Sequence, residues 1–169
     1  MRSRRTLLII IAAVVLLIVV IAGIVIASTR FTPSNEPQYQ AAVDFVRAVG
    51  LNDNRTALSL LTPGMRLWVS ELCSYGQIAS CLRAFVPPDW GQFVSVVFRQ
   101  ATPYYTSWDV DMIATYERGD GASGVCIYAR IEQMPEGDWR VSRWAGWISC
   151  ADPRAQDMAN NPDTPNRAP

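Results

Sequence analysis

The chain contains no histidine and no lysine; all 15 of its basic residues are arginine. Without histidine it lacks the commonest general base and the commonest metal ligand. Without lysine it has neither a Schiff-base amine nor the lysine of a phosphate-binding P-loop. No glycine-rich phosphate loop follows any predicted strand, and no Cys-x-x-Cys pair occurs. Zinc and heme sites built on imidazole are excluded, and the expected inventory is no catalytic residue, no metal and no cofactor.

Charge is absent over a long stretch near the start of the chain. Leu7 to Ala27 is an unbroken apolar run without a charged residue, Asn, Gln or Pro, and it follows Arg2, Arg4 and Arg5. At 1.5 Å per residue such a run matches the roughly 30 Å hydrocarbon core of a bilayer. The three arginines predict a cytoplasmic N-terminus and a periplasmic or extracellular remainder, in a single-pass cell-membrane protein. Val25 and Ala27 before Ser28 would also suit signal-peptide cleavage, but the run exceeds the ~7–15 apolar residues of a signal peptide, which favours an uncleaved anchor. Gly23 and Ala27 form a small-xxx-small pair through which another membrane helix could pack.

About 140 residues follow, enough for one domain with a real core. All 15 acidic residues and 12 of the arginines lie there, giving a formal charge of −3. A mildly acidic domain argues against a nucleic-acid partner. Cys73, Cys81, Cys126 and Cys150 all fall in this part, and an even count in an oxidising compartment reads as two disulfides with three possible connectivities. Cys73 and Cys81 are close in sequence, with Gly76 letting the chain fold back, while Cys126 and Cys150 fall on strands of one predicted hairpin. The expected pairs are therefore 73–81 and 126–150.

The organisation reads as a cytoplasmic stub (1–6), a transmembrane helix (7–27), a polar linker (28–35), an exported domain (36–150) and a disordered tail (151–169) rich in Asn, Pro, Asp and Ala. Within the domain, Tyr39, Ala42, Val43, Val46 and Val49 follow helical spacing, with Ser34 or Asn35 as the cap and Gly50 as the stop. A second helix follows Asp53, and a third starts at Thr62-Pro63. Asn54-Arg-Thr56 fits a glycosylation sequon but is read as helix-start chemistry. After Pro87-Pro88 the period becomes two: strands are expected over Gln92–Gln100, Trp108–Glu117, Val125–Gln133 and Trp139–Cys150, joined by short turns and hence antiparallel. The predicted fold class is α+β: an N-terminal transmembrane helix, then about three helices packed on a curved four-stranded antiparallel sheet.

Ala41-Ala-Val-Asp-Phe-Val-Arg-Ala-Val49, then Asn52-Asp-Asn-Arg-Thr-Ala-Leu-Ser-Leu-Leu-Thr-Pro63, and the closing Asp138-Trp-Arg-Val-Ser142 together resemble the nuclear transport factor 2-like (cystatin-like cone) superfamily over roughly Glu36 to Cys150. The resemblance implies a cone shape without a chemistry. Anchored members of that superfamily include scaffold subunits of bacterial secretion systems and transporter-associated proteins. The function it implies is that of an accessory or scaffold subunit in a membrane complex for transport, secretion or electron transfer, with the lipid bilayer and integral membrane proteins as partners. The alternative is an anchored binding protein for a small apolar ligand.

The candidate binding surface is aromatic: Tyr104, Tyr105, Trp108, Trp144 and Trp147, in a sheet half that also holds Trp90 and Trp139. Strict alternation puts Trp139, Val141, Ala145 and Trp147 on one face and Trp144 and Ile148 on the other. An aromatic concave face would line a pocket open at one end. Asp109 and Asp111, about 6–7 Å apart on one strand face, resemble an acid–base pair of an isomerase or dehydratase. Arg130 and Arg140 offer both a simpler cross-strand partnership. Under the non-catalytic scaffold reading, Trp144→Ala or Trp147→Ala should weaken assembly or ligand capture, while Asp109→Asn should change little.

Overall fold

The computed structural model describes residues 14–20, 36–118 and 124–168. The chain divides into two units, Met1–Pro33 and Ser34–Pro169.

In the first unit, residues 14–20 are helical and their side chains are exposed. The expected Leu7–Ala27 span requires correction. Among the described residues no helix is long and apolar enough to cross a membrane. The rest of the apolar run, with Arg2, Arg4 and Arg5, the small pair Gly23/Ala27 and the linker, lies outside the described residues. Among the described residues the fold class is accordingly α+β with no membrane-spanning helix, and the single-pass topology and the localisation drawn from the span are withdrawn.

The second unit opens with α1 (Pro37–Gly50), which carries Pro37 in its first turn, where a missing N–H costs nothing. Its N-cap position is Glu36, without a side-chain cap bond; Ser34 and Asn35 lie outside the described residues. Tyr39, Ala42, Phe45, Val46 and Val49 are buried along one face, and Asp44 and Arg47 face away from it. Next come α2 (Asn54–Ser59) and α3 (Pro63–Leu72). Each is started by an oxygen at the expected place: Asp53 accepts from the Thr56 amide at 3.0 Å, and Thr62 Oγ1 from the Met65 amide at 3.4 Å. The Thr56 hydrogen bonds hold the Asp53 carboxyl below its ordinary range. Asn54, the sequon residue, spends its side-chain oxygen on the Ala79 amide at 2.9 Å, tying α2 to α4 (Ile78–Arg83).

Four strands follow as an antiparallel meander in chain order: β1 (Phe93–Tyr104), β2 (Ser107–Tyr116), β3 (Val125–Gln133) and β4 (Trp139–Ser149). Trp108, Val110, Met112, Ala114 and Tyr116 of β2 alternate toward the helices, as their period predicts. The inner side of the sheet is filled: Phe45, Leu61, Met112, Ile127, Ile131, Trp144 and Trp147 are all fully buried. The aromatic pocket expected on the concave face is therefore core.

β4 departs from strict alternation, for a physical reason. Two register shifts against β3, at Ser142 and at Trp147, each insert one extra residue. Each bulge resets the pleat. Val141, Trp144 and Trp147 thereby all face the helices, while Arg143, Ala145 and Ile148 fall on the other side. Gly146 is what the second bulge demands: its φ is +102°, and a Cβ there would meet the Cys126 carbonyl oxygen at 2.7 Å and the Met158 sulfur at 3.0 Å.

The segment 151–168, expected to be disordered, is packed against the sheet. Ala155 and Met158 join Cys126, Tyr128 and Ala145 in a second small core on the outer face. The last turn runs beside β4, with Gly146 N–H donating to the Pro165 carbonyl and Ala168 N–H to the Trp144 carbonyl, both at 2.9 Å. Together with the Leu61–Val141 bridge, this covers an edge that would otherwise present unpaired backbone groups. The polar composition misled because few apolar side chains are needed when a covalent link holds the segment in place.

That link is the Cys126–Cys150 disulfide, with Cα atoms 4.9 Å apart; the other pair is Cys73–Cys81, at 5.5 Å. They enclose sequence separations of 24 and 8. Closing those loops in the unfolded chain implies roughly 3–4 kcal/mol for the former and roughly 2–3 for the latter. Replacing both Cys126 and Cys150 by Ser should therefore lower the urea midpoint more than replacing Cys73 and Cys81. Equal losses would contradict the loop-length argument.

Candidate functional site

The five aromatic residues singled out in the sequence are divided by the fold. Trp144 and Trp147 are 0 % and 1 % exposed. Trp144 stacks on Phe45 at 5.7 Å and meets Trp68 edge-on at 5.4 Å. Neither tryptophan can be a binding surface, and that assignment is corrected to core. Trp108 is half-buried on the helix side, edge-on to Tyr39 at 5.5 Å. Only Tyr104 and Tyr105 are brought together at the surface.

They occupy the β1–β2 turn. Tyr104 pairs with Ser107 across it, so Tyr105 and Thr106 form a two-residue hairpin loop. Tight hairpin loops of this kind require positive φ, which is why glycine or asparagine usually fills them. Tyr105 adopts a φ of +53° instead, a strained conformation for an aromatic residue, and is 94 % exposed. Its ring stands edge-on to Tyr104 at 4.9 Å.

Tyr104 is held from below. The Arg130 guanidinium carbon lies 3.5 Å from its ring centroid, a cation–π contact. Arg130 is fixed in turn by a fork onto Asp109, with Nε donating to Oδ1 at 2.7 Å and Nη2 to Oδ2 at 2.9 Å. Tyr128 Oη adds a third bond to Asp109 Oδ1 at 2.7 Å. Asp109 and Arg130 are 8 % and 9 % exposed. The cross-strand partnership offered by the sequence thus joins Asp109 to Arg130, which are register partners on β2 and β3. Arg140 instead pairs with Asp138 at 2.6 Å. Burial, then the Asp109 bond, raises the Tyr128 hydroxyl beyond its ordinary range, so it stays a donor at any working pH.

Asp111 is placed differently from Asp109. It is half-buried and accepts from Gln100 Nε2 at 2.7 Å. Desolvation pushes its carboxyl above the ordinary 3.8, opposed by the Gln100 bond and Arg99 and reinforced by Asp109 and Asp157. A carboxyl with a raised folded pKa binds more protons in the folded than in the unfolded chain. Its contribution is therefore most favourable below pH 3.8 and is lost as pH rises through the folded value. Asp111→Asn should raise stability at pH 7 and flatten that part of the profile, measured by urea unfolding at stepped pH. A variant less stable than the parent at neutral pH would contradict this.

The two carboxylates do not converge on a shared opening. Asp109 accepts three hydrogen bonds from neighbours on the sheet, and Asp111 accepts one from Gln100. Among the described residues no group of three or more His, Cys, Asp or Glu side chains is arranged to hold a metal. Sequence reasoning missed Tyr128 as the third partner of Asp109. It stands in the Val125–Gln133 run at the register position opposite Asp111, a relation that exists only once the strands are paired.

No family model matches the chain, and no curated protein matches it. Among solved structures it is similar to the solution structure of a SEC-C motif containing protein from Rhodopseudomonas palustris. That likeness has 16 % sequence identity, covers 59 % of this chain and 70 % of that one, and has a TM-score of 0.41.

Proposed function

We propose that the second unit is a non-catalytic docking domain, an accessory or scaffold piece of a larger assembly, built as a nuclear transport factor 2-like cone. The observation that carries the reading is Tyr105, an almost fully exposed aromatic side chain held at a strained turn position on a supported base. Strain in a backbone persists where the surroundings over-determine it, and it gathers at sites of function. A rigid tyrosine is also a favoured interface anchor, because it offers a large amphipathic surface with few torsions to immobilise. The buried Asp109–Arg130–Tyr128 network beneath it preorganises Tyr104 and, through it, Tyr105. The helix-then-meander element order supports the cone.

The test is quantitative co-purification of the full chain with partners present in stoichiometric amount. Tyr105→Ala should weaken that association about tenfold or more while leaving the melting temperature unchanged, since an anchor of this kind contributes roughly 2 kcal/mol or more. Tyr75→Ala serves as the control: Tyr75, in the Ser74–Gly76 turn, is equally exposed and also at positive φ, at +56°, but among the described residues it has no aromatic or cationic support beneath it. Equal retention of partners by Tyr105→Ala and the parent would overturn the proposal.

A further inference from the structure

A cleft of about 640 Å³ opens near Phe93, at the other end of β1 from the tyrosine hairpin. That volume falls within the roughly 300–1,000 Å³ of small-molecule sites. We infer that it binds a small amphipathic monocarboxylate, with Arg83 receiving the carboxylate and Leu51, Val86, Pro88 and Phe93 covering the apolar body.

The walls are built rather than incidental. Phe93 packs where a side chain on residue 50 would stand, so Gly50 lets its ring lie flat against the end of α1. Pro87 and Pro88 stiffen the facing wall. Leu51, at the mouth, is 65 % exposed, an apolar side chain left in water. Among the described residues lining the cleft, Arg83 carries the one charge. Its Nη2 donates to the Gly91 carbonyl at 3.0 Å, which fixes the guanidinium in the wall. It forms no ion pair among the described residues. A guanidinium with donors to spare, fixed beside apolar surface, suits a carboxylate better than a neutral head group.

The one lining cation and the carboxylates nearby disfavour a ligand of more than one negative charge. Glu117 accepts from the Gln92 amide at 3.1 Å and stands behind Gly91 with Arg118, while Asp89 lies on the Pro88–Trp90 turn. Those carboxylates would repel a dianion. Tyr116 lies close enough to sense the Arg83 charge, and burial raises its hydroxyl, which keeps it neutral. Arg83 also ends α4, where a cation complements the helix dipole. A purely structural role of that kind would leave ligand binding unaffected by its removal.

Octanoate is the probe, titrated into the full chain by calorimetry beside acetate and 1-octanol. Octanoate should bind saturably with one site, and both comparison compounds at least about tenfold more weakly, which is about 1.4 kcal/mol. Arg83→Gln should weaken octanoate about tenfold, Arg83→Lys should restore most of the loss, and Arg143→Gln on β4 should change nothing. If Arg83→Gln does not fold by circular dichroism, Leu51→Asp at the exposed mouth makes the same test by placing a carboxylate in the cleft. Equal affinity for octanoate and 1-octanol, undiminished binding in Arg83→Gln or Leu51→Asp, or no saturable binding would overturn the inference. Each of these outcomes is independent of partner binding at Tyr105.

Discussion

Trp144→Ala should cost about 3–5 kcal/mol of folding stability, the range for removing a large aromatic side chain from a packed core. Trp144 is fully buried and sits at the junction of three other rings: Phe45 on α1, Trp68 on α3 and Trp147 on its own strand at 6.4 Å. Its removal opens a cavity that must be closed by α1, α3 and β4 together. Each is held by other contacts, so collapse into the space is limited. The loss is a large fraction of the 5–15 kcal/mol expected for a whole domain. Guanidinium unfolding measures it directly, and a loss below about 1 kcal/mol would show that this core repacks freely.

The second large effect is expected at Asp109. The small effect of Asp109→Asn expected from the sequence concerned assembly and ligand capture; for folding stability the buried network makes Asp109 costly to lose. Asp109→Ala leaves the Arg130 guanidinium buried without its counter-charge and removes the acceptor for Tyr128. Breaking a buried pair by deleting one partner costs about 3–5 kcal/mol. Asp109→Asn keeps one acceptor oxygen and should lose less, about 1–3 kcal/mol, as the charge-assisted fork becomes an ordinary hydrogen bond. A specific consequence follows for the surface. With Arg130 released, the Tyr104 ring loses its cation–π support, so Asp109→Asn should also loosen the hairpin, visible as broadened Tyr104 and Tyr105 resonances. A folded Asp109→Ala variant of parental stability would contradict the role assigned to the network.

The fold was legible wherever one residue or one period decided the outcome. The apolar face of α1, the caps at Asp53 and Thr62, and the alternation of Trp108 to Tyr116 each follow from local chemistry, and each element stands there in the structure. What the sequence concealed depends on two elements at once. The bulges at Ser142 and Trp147 move Trp144 and Trp147 to one face, and they arise from the pairing of β4 with β3 and the tail packed beyond it. No period-two reading contains that information. The ordered tail was hidden for a similar reason: its stability comes from Cys150 and from backbone bonds to β4, whereas its composition alone signals disorder. The site was half legible. Tyr104 and Tyr105 stood out among the aromatic residues of the sheet half, but the hairpin that presents them and the network supporting them depend on strand pairing, which joins residues 20 or so positions apart.

In the proposed docking role, Tyr105 contacts another protein. A photo-reactive phenylalanine analogue substituted at position 105 of the full chain, illuminated in the intact cell that makes it, places that claim under direct test. One discrete covalent adduct is expected from position 105 and none from the same analogue at Thr115, an exposed position at the far end of β2. Absence of an adduct at 105, or equal adducts from both positions, would contradict the docking role.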